Sequence, residues 1–213
     1  MNRSQSQYSE PVRQLLTYGD ARQLRKWPNY QECGLSQAHI PELITMLTDE
    51  DLTWADSNSV EVWAPLHAWR ALGQLHAVEA IAPLLDQLYR IDAYDDDWIG
   101  EEFPEVFAMI GAPAIPAVTQ YLHTPHHGLF ARVCAAHSLA TIGRTSPDTR
   151  AQCIESLTQQ LTNCGQNDPT LNGFLVSYLV DLHAVEALTT IQQAYHQDCV
   201  DLSIIGDCEE AEI

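Results

Sequence analysis

Between Trp63 and Leu88 the chain reads WAPLHAWRALGQLHAVEAIAPLLDQL, and its apolar residues return every three or four positions. Leu66, Trp69, Ala71 and Leu72 form one stripe, and Val78, Ile81, Leu84, Leu85 and Leu88 form a second. That spacing lines one face of an α-helix. Gly73-Gln74-Leu75-His76 separates the stripes, which predicts a helical hairpin turning at Gly73. A single hairpin of this size cannot bury both apolar faces, so further copies are expected to stack on it. Leu182-His183-Ala184-Val185-Glu186-Ala187 repeats Leu75-His76-Ala77-Val78-Glu79-Ala80 letter for letter, while Ile110-Gly111 and Ile142-Gly143 repeat the signal for a helix end. The anchors Gly73, Gly111, Gly143 and Asp181 lie 38, 32 and 38 residues apart, a mean of 36. The expectation is an all-α chain: an α-solenoid of about five stacked antiparallel hairpins with an irregular N-terminal cap and an acidic C-terminal tail.

Residues 1–58 read as N-terminal helices and a capping repeat, 59–197 as the repeat solenoid and 198–213 as the tail. Within the first segment, Pro11 to Leu16 predicts a short helix ended by Gly19-Asp20, and Ser36 opens an amphipathic helix through Ile40, Leu43, Ile44 and Leu47. Asp49 to Asn58 and Ile91 to Trp98 read as long acidic connections. Ser59 is the expected cap of the next helix, bent at Pro65, and Glu101, Glu102 and Glu105 fall in the first turns of a later one. Ser146-Pro147-Asp148 and Asp168-Pro169 carry the cap-then-proline signature of helix starts.

The pattern A-x-x-A-L-x-x-[IL]-G, a short link and A-[IV]-x-x-[LV] is carried by Ala68, Ala71, Leu72, Gly73, Ala80, Ile81 and Leu84, and in part by Ala136, Leu139, Ile142 and Gly143. It resembles the short bacterial HEAT-like repeats, including those of the phycobilin lyases, over about residues 60–197. The resemblance implies an α-solenoid with mainly protein-binding roles, and it speaks to fold more than to function. Trp69-x-x-Leu72-Gly73 has tetratricopeptide spacing, but no tryptophan precedes Gly111 or Gly143 in the same way, so the HEAT-like likeness ranks first.

Charge narrows the functional classes. Twenty-nine acids against ten bases give a net charge of −19, with ten acids and no base after Arg150. Such a field repels phosphate backbones and anionic bilayers, which disfavours nucleic-acid and membrane partners and favours a basic protein or peptide. No apolar run reaches membrane-spanning length and the opening residues lack a signal-peptide core, so a cytoplasmic location is expected. The six cysteines have no zinc-ligand spacing, and Cys134 and Cys153 sit among apolar residues as small buried hydrophobes. Neither a nucleophile elbow nor a phosphate loop is present, and no cofactor is expected.

Five sets of residues remain as candidates. Tyr94, Asp95, Asp96, Asp97, Trp98, Glu101 and Glu102, with Trp54, Trp63 and Phe103, place aromatic groups in or beside the two acidic connections. Aromatic anchors in a charged rim describe a docking surface, and six carboxylates, these five with Asp92, without an intervening base would repel one another until a cation or a basic chain arrived. Asp92, Asp95, Asp97 and Glu101 also supply the hard oxygens a divalent metal takes, though without EF-hand spacing. His76/Glu79 and His183/Glu186 pair imidazole with carboxylate, and the alternative is that these residues shape the turns; His123, His126 and His127 crowd one bend, and Cys134/His137 are three apart in a helical pattern. The leading expectation is a non-enzymatic interaction module. The alternative is a lyase-like or metal-dependent enzyme on the same scaffold.

Overall fold

The computed structural model describes residues 7–208, and among them every regular element is helical. The contacts divide the chain after Gln87 into two compact units.

The first unit contains 3-10 turns at Val12–Thr17, Ala21–Gln23 and Gln37–His39, then α1 (Ile40–Leu47), α2 (Glu50–Thr53), a 3-10 turn at Glu61–Trp63, α3 (Ala64–Gln74), a 3-10 turn at Val78–Ala80, and α4 (Ile81–Leu85). Helix α3 is its centre, buried at every position from Ala64 to Gly73, with α1 against one side and Val12–Thr17 against another. Burying a helix all round requires partners for its polar side chains and its last carbonyls. His67 Nε2 lies 2.9 Å from the Gly19 carbonyl, which can only accept, so Nε2 carries the proton and Tyr30 Oη donates to Nδ1 at 2.7 Å. The Gln31 and Gln37 side chains donate to the Gln74 and Leu75 carbonyls.

Ser36 does open its helix: its backbone N–H donates to His39 Nδ1 at 3.0 Å, and the 3-10 turn runs straight into α1. The Asp49–Asn58 connection is shorter than expected, because the Asp49 carboxylate accepts from the Asp51 and Leu52 N–H groups and starts α2. Ser59 caps nothing; its hydroxyl is buried without a hydrogen-bond partner, and Pro65 sits in the first turn of α3, where a missing N–H costs no helical bond.

The second unit contains α5 (Tyr89–Tyr94), α6 (Asp97–Ile110), a 3-10 turn at Ala112–Ala114, α7 (Ile115–His123), α8 (Leu129–Thr145), a 3-10 turn at Pro147–Thr149, α9 (Arg150–Thr162), a 3-10 turn at Cys164–Gln166, α10 (Pro169–Asp181), a 3-10 turn at Val185–Ala187, α11 (Leu188–His196) and α12 (Leu202–Ile205). Helix α8 is the hub, packed against α5, α6, α7, α9 and α10. It allows so many neighbours because Ala131, Ala135, Ala136, Ala140 and Gly143 keep its surface thin. The Ser146 and Asp168 starts are found where expected; Asp168 accepts from Thr170 N–H at 2.9 Å, whereas the Ser146 side chain makes no cap bond.

Two of the expected turn glycines lie inside helices. Gly73 belongs to α3, and Gly143 belongs to α8, where a Cβ would stand 3.1 Å from the Cys153 Cβ. Gly143 is therefore a point of close helix approach. Gly111 is the true turn glycine: its φ of 81° with ψ of −148° is a region open to glycine. The duplicated sextet turns instead on its histidine. His76 and His183 have φ of 52° and 49°, and the helices before them close identically, Ala77 N–H on Leu72 C=O at 3.1 Å and Ala184 N–H on Leu179 C=O at 3.0 Å. This is a Schellman closure with histidine in the left-handed place, and both copies lead into a 3-10 turn, Val78–Ala80 and Val185–Ala187. Residues 198–208 of the acidic tail are packed as well: the Asp201 carboxylate accepts from Ser203 N–H at 3.0 Å and α12 lies on α10. The remaining tail, 209–213, lies outside the described residues.

Candidate functional site

The acidic stretch of the second unit is mostly helix. α5 carries the chain to Tyr94, Asp95 adopts a left-handed φ of 54°, and α6 begins at Asp97. Aspartate tolerates that conformation better than most residues, so a two-residue link reverses the chain where a long loop was expected. Helix α6 thus starts before Glu101, Glu102 and Glu105, with Asp97 as the acid of its first turn.

Three of the six carboxylates are taken into the fold. Asp96 pairs with Arg90 at 2.6 Å, with side chains 15% and 10% exposed. Asp92 accepts from the N–H groups of Phe130 at 2.9 Å and Ala131 at 2.8 Å, which are the second and third residues of α8. Glu102 is buried. The expected mutual repulsion is accordingly smaller, because a guanidinium and a positive helix end answer two of the charges. Among the described residues no three His, Cys, Asp or Glu side chains stand close enough together to hold a metal ion, so Asp92, Asp95, Asp97 and Glu101 do not form a ligand set.

Asp92 stays exposed while it makes its bonds to Phe130 and Ala131, and Tyr94, Asp95, Asp97 and Glu101 also face water, with Trp98 half-buried beside them. The Tyr94 ring, 55% exposed, meets Tyr89 edge-on at 6.2 Å, and Tyr89 and Phe130 are exposed too. Sequence reasoning missed Tyr89 and Phe130. Tyr89 was legible as the residue five before Tyr94, but the Phe130 backbone meets Asp92 only through the fold. Phe103 belongs to the core, edge-on to Phe107. Trp54 and Trp63 are residues of the first unit. Trp54 is exposed at the end of α2, and Trp63 lines a cleft of about 520 Å³ with Tyr18, Asn58, Ser59 and Val60. The Arg22 guanidinium lies 5.1 Å over the Trp63 ring and holds the Asp20 carboxyl below its ordinary pKa through their hydrogen bond.

A family model described as "Protein of unknown function (DUF1186)" matches residues 37–213. The chain belongs to that family. No curated protein and no solved structure matches it. The DUF1186 match opens on Gln37, the first residue of the 3-10 turn before α1, and takes in all twelve α-helices of the described residues together with Trp54, Trp63 and the Tyr94 face.

The other candidates within the DUF1186 region have structural roles. His76 and His183 are the turn residues described above, and Glu186 pairs with Arg150 at 3.0 Å. His123 Nε2 donates to the Ser156 carbonyl at 3.0 Å, and His127 stacks on Tyr121 with centroids 3.7 Å apart. His137 stacks on Tyr178. Burial raises the Cys134 thiol to about 12 and the Cys153 thiol to about 11, which removes the thiolate a nucleophile requires at neutral pH.

Proposed function

We propose that this member of the DUF1186 family is a HEAT-like α-solenoid acting as a binding module, and that the Tyr94 face of its second unit receives a basic segment of another protein. Two features support the solenoid. Each of the helices α1, α4, α7, α9 and α11 is entered through a three-residue 3-10 turn, and in the second unit α6 packs on α8 and α8 on α10 while α7 packs on α9 and α9 on α11. Repetition of one local unit with like helices in contact is how solenoids bury their faces.

The observation that carries the binding reading is Tyr94, a large exposed ring flanked by the exposed carboxylates of Asp95, Asp97 and Glu101. Rings give contact area at small entropic cost, and the acids around them steer lysine- and arginine-rich chains. The test is calorimetric titration with a lysine-rich peptide against wild type, Tyr94→Ala and an Asp95→Asn, Asp97→Asn, Glu101→Gln variant, at low and physiological salt. Asn is chosen at Asp95 because it also tolerates the left-handed backbone, and Asp92, Asp96 and Glu102 are left intact because the fold uses them. Weaker binding in both variants, with a flatter salt dependence in the second, is the expected result. Equal binding by all three proteins would place the docking surface elsewhere.

A further inference from the structure

The second unit contains four arginines and no lysine. Three have a carboxylate: Arg90 has Asp96 at 2.6 Å, Arg150 has Glu186 at 3.0 Å and Arg144 has Glu105 at 3.9 Å. Arg132 has none among the described residues, although it is 93% buried by its relative exposure of 7% and lies in a strongly acidic chain. Among the described residues its side chain makes one hydrogen bond, from Nε to the Leu122 carbonyl at 2.9 Å, near the end of α7. That bond fixes the guanidinium and leaves the two terminal nitrogens, four N–H donors in a planar fork.

Arg132 lines a cavity of about 350 Å³ whose other polar lining includes His123, Gln159, Gln160, Asn163 and Asn167. No lining residue is acidic. The floor is held in place by an amide chain: Gln160 Nε2 donates to Asn167 Oδ1 at 2.6 Å, and Asn167 Nδ2 donates to Asn172 Oδ1 at 2.8 Å. Asn172 is in turn anchored to the carbonyls of Cys164 and Cys199. Burial lowers the Arg132 pKa from the ordinary arginine value, the sign of a cation whose surroundings give back too little for the water it has lost. A bound anion would supply the difference.

We propose that this cavity is a binding site for a small monocarboxylate, held by the terminal nitrogens of Arg132 and by the surrounding carboxamides. A planar carboxylate matches the guanidinium fork, and the amide lining can donate to or accept from the ligand's remaining polar groups. The charge is single for a physical reason. One cation faces the cavity, His123 already spends its Nε2 proton on Ser156, and the carbonyl ends of α7 and α9 lie alongside, so a second negative charge would go uncompensated. Inorganic phosphate, of which a large share is dianion at neutral pH and which is tetrahedral rather than planar, should therefore bind worse than a carboxylate.

The experiment follows the arginine Nε–H signals of the ¹⁵N-labelled full chain by NMR during titration with acetate, lactate, acetamide or inorganic phosphate. Arg132→Lys identifies the signal, and Arg22, exposed and paired with Asp20, reports non-specific ion effects. Acetate and lactate are expected to move the Arg132 signal saturably with Arg22 unchanged, while acetamide and phosphate have little effect. Because Arg132 also holds the Leu122 carbonyl, a second variant, Gln159→Glu at an exposed helical position on the rim, tests the site without touching that bond. It should melt no lower than wild type, because a carboxylate on the rim adds a counter-charge for Arg132, and weaken lactate binding by about tenfold or more, since like charges face each other across a small cavity. A carboxylate response equal at Arg22 and Arg132, unchanged affinity in Gln159→Glu, or preference for phosphate would each overturn the assignment.

Discussion

The carboxylate of Asp92 stands where a side chain on Gly128 would have to go: a Cβ built on that glycine overlaps the Asp92 side chain. Gly128 is the N-cap position of α8 and has no side chain to offer the first N–H groups. Asp92, from α5, supplies the missing acceptor to Phe130 and Ala131. The cap of the hub helix is thus a tertiary contact, and it joins the acidic stretch to the core of its unit.

Asp92→Ala is expected to cost about 0.5–2 kcal/mol, the range for losing an N-cap side chain. Gly128→Ala should cost at least as much, since the added methyl displaces the same carboxylate. The two changes remove one interaction, so the double variant should lose clearly less than the sum. Urea midpoints of the four proteins measure this, and strict additivity would show that the two residues act separately.

Asp96 and Asp95 are neighbours with opposite expected behaviour. Removing one partner of the nearly buried Arg90–Asp96 pair strands a charge, and Asp96→Ala should cost about 3–5 kcal/mol. Asp95→Asn keeps the left-handed backbone and alters an exposed carboxylate, so its effect should stay within about 0.5 kcal/mol. Thermal melts of the two variants side by side give the comparison.

His183 carries a side chain where glycine is the usual residue. The left-handed conformation costs a non-glycine residue roughly 1–2 kcal/mol, partly offset by the greater backbone entropy glycine loses on folding. His183→Gly is expected to raise stability by up to about 1 kcal/mol. His183→Val, with a branched Cβ at the same φ of 49°, should lower it by more than that. Equal midpoints for both would mean that the turn relaxes.

Alkaline pH should destabilise the native state. Burial raises Cys134 from its ordinary 9.0 to about 12 and Cys153 from 9.0 to about 11, and Tyr18 rises from 10.0 to about 12 through burial and its hydrogen bond to Cys33. Each group holds its proton in the folded chain at pH values where the unfolded chain has begun to lose it. Their stabilising effect is complete below about pH 9 and declines as pH rises towards 11–12. Urea midpoints across that window should fall, and the thiols of Cys134 and Cys153 should react with a thiol reagent only on unfolding, in contrast to the exposed Cys208.

The sequence alone determined the features that arise within a turn or two of chain. Apolar residues at helical spacing predicted an all-helical chain, and Ser36, Ser146 and Asp168 marked where elements begin, Ser36 and Asp168 because capping is a contact between near neighbours and Ser146 because a proline follows it. The sextet beginning at Leu75 and again at Leu182 announced a repeated turn, and both copies adopt one backbone. Leu72 and Leu139 were legible as core residues and are fully buried. Tertiary structure decided which charges meet. Asp92, Asp95 and Asp96 look alike in sequence, yet one caps a helix starting 37 residues later, one turns the chain and one neutralises Arg90. Gly143 reads as a turn but serves a helix contact, since only the packed neighbour Cys153 makes its missing side chain matter. Arg132 gave no signal at all, because a cation without a counter-charge among the described residues is recognised only once the surrounding side chains have been placed.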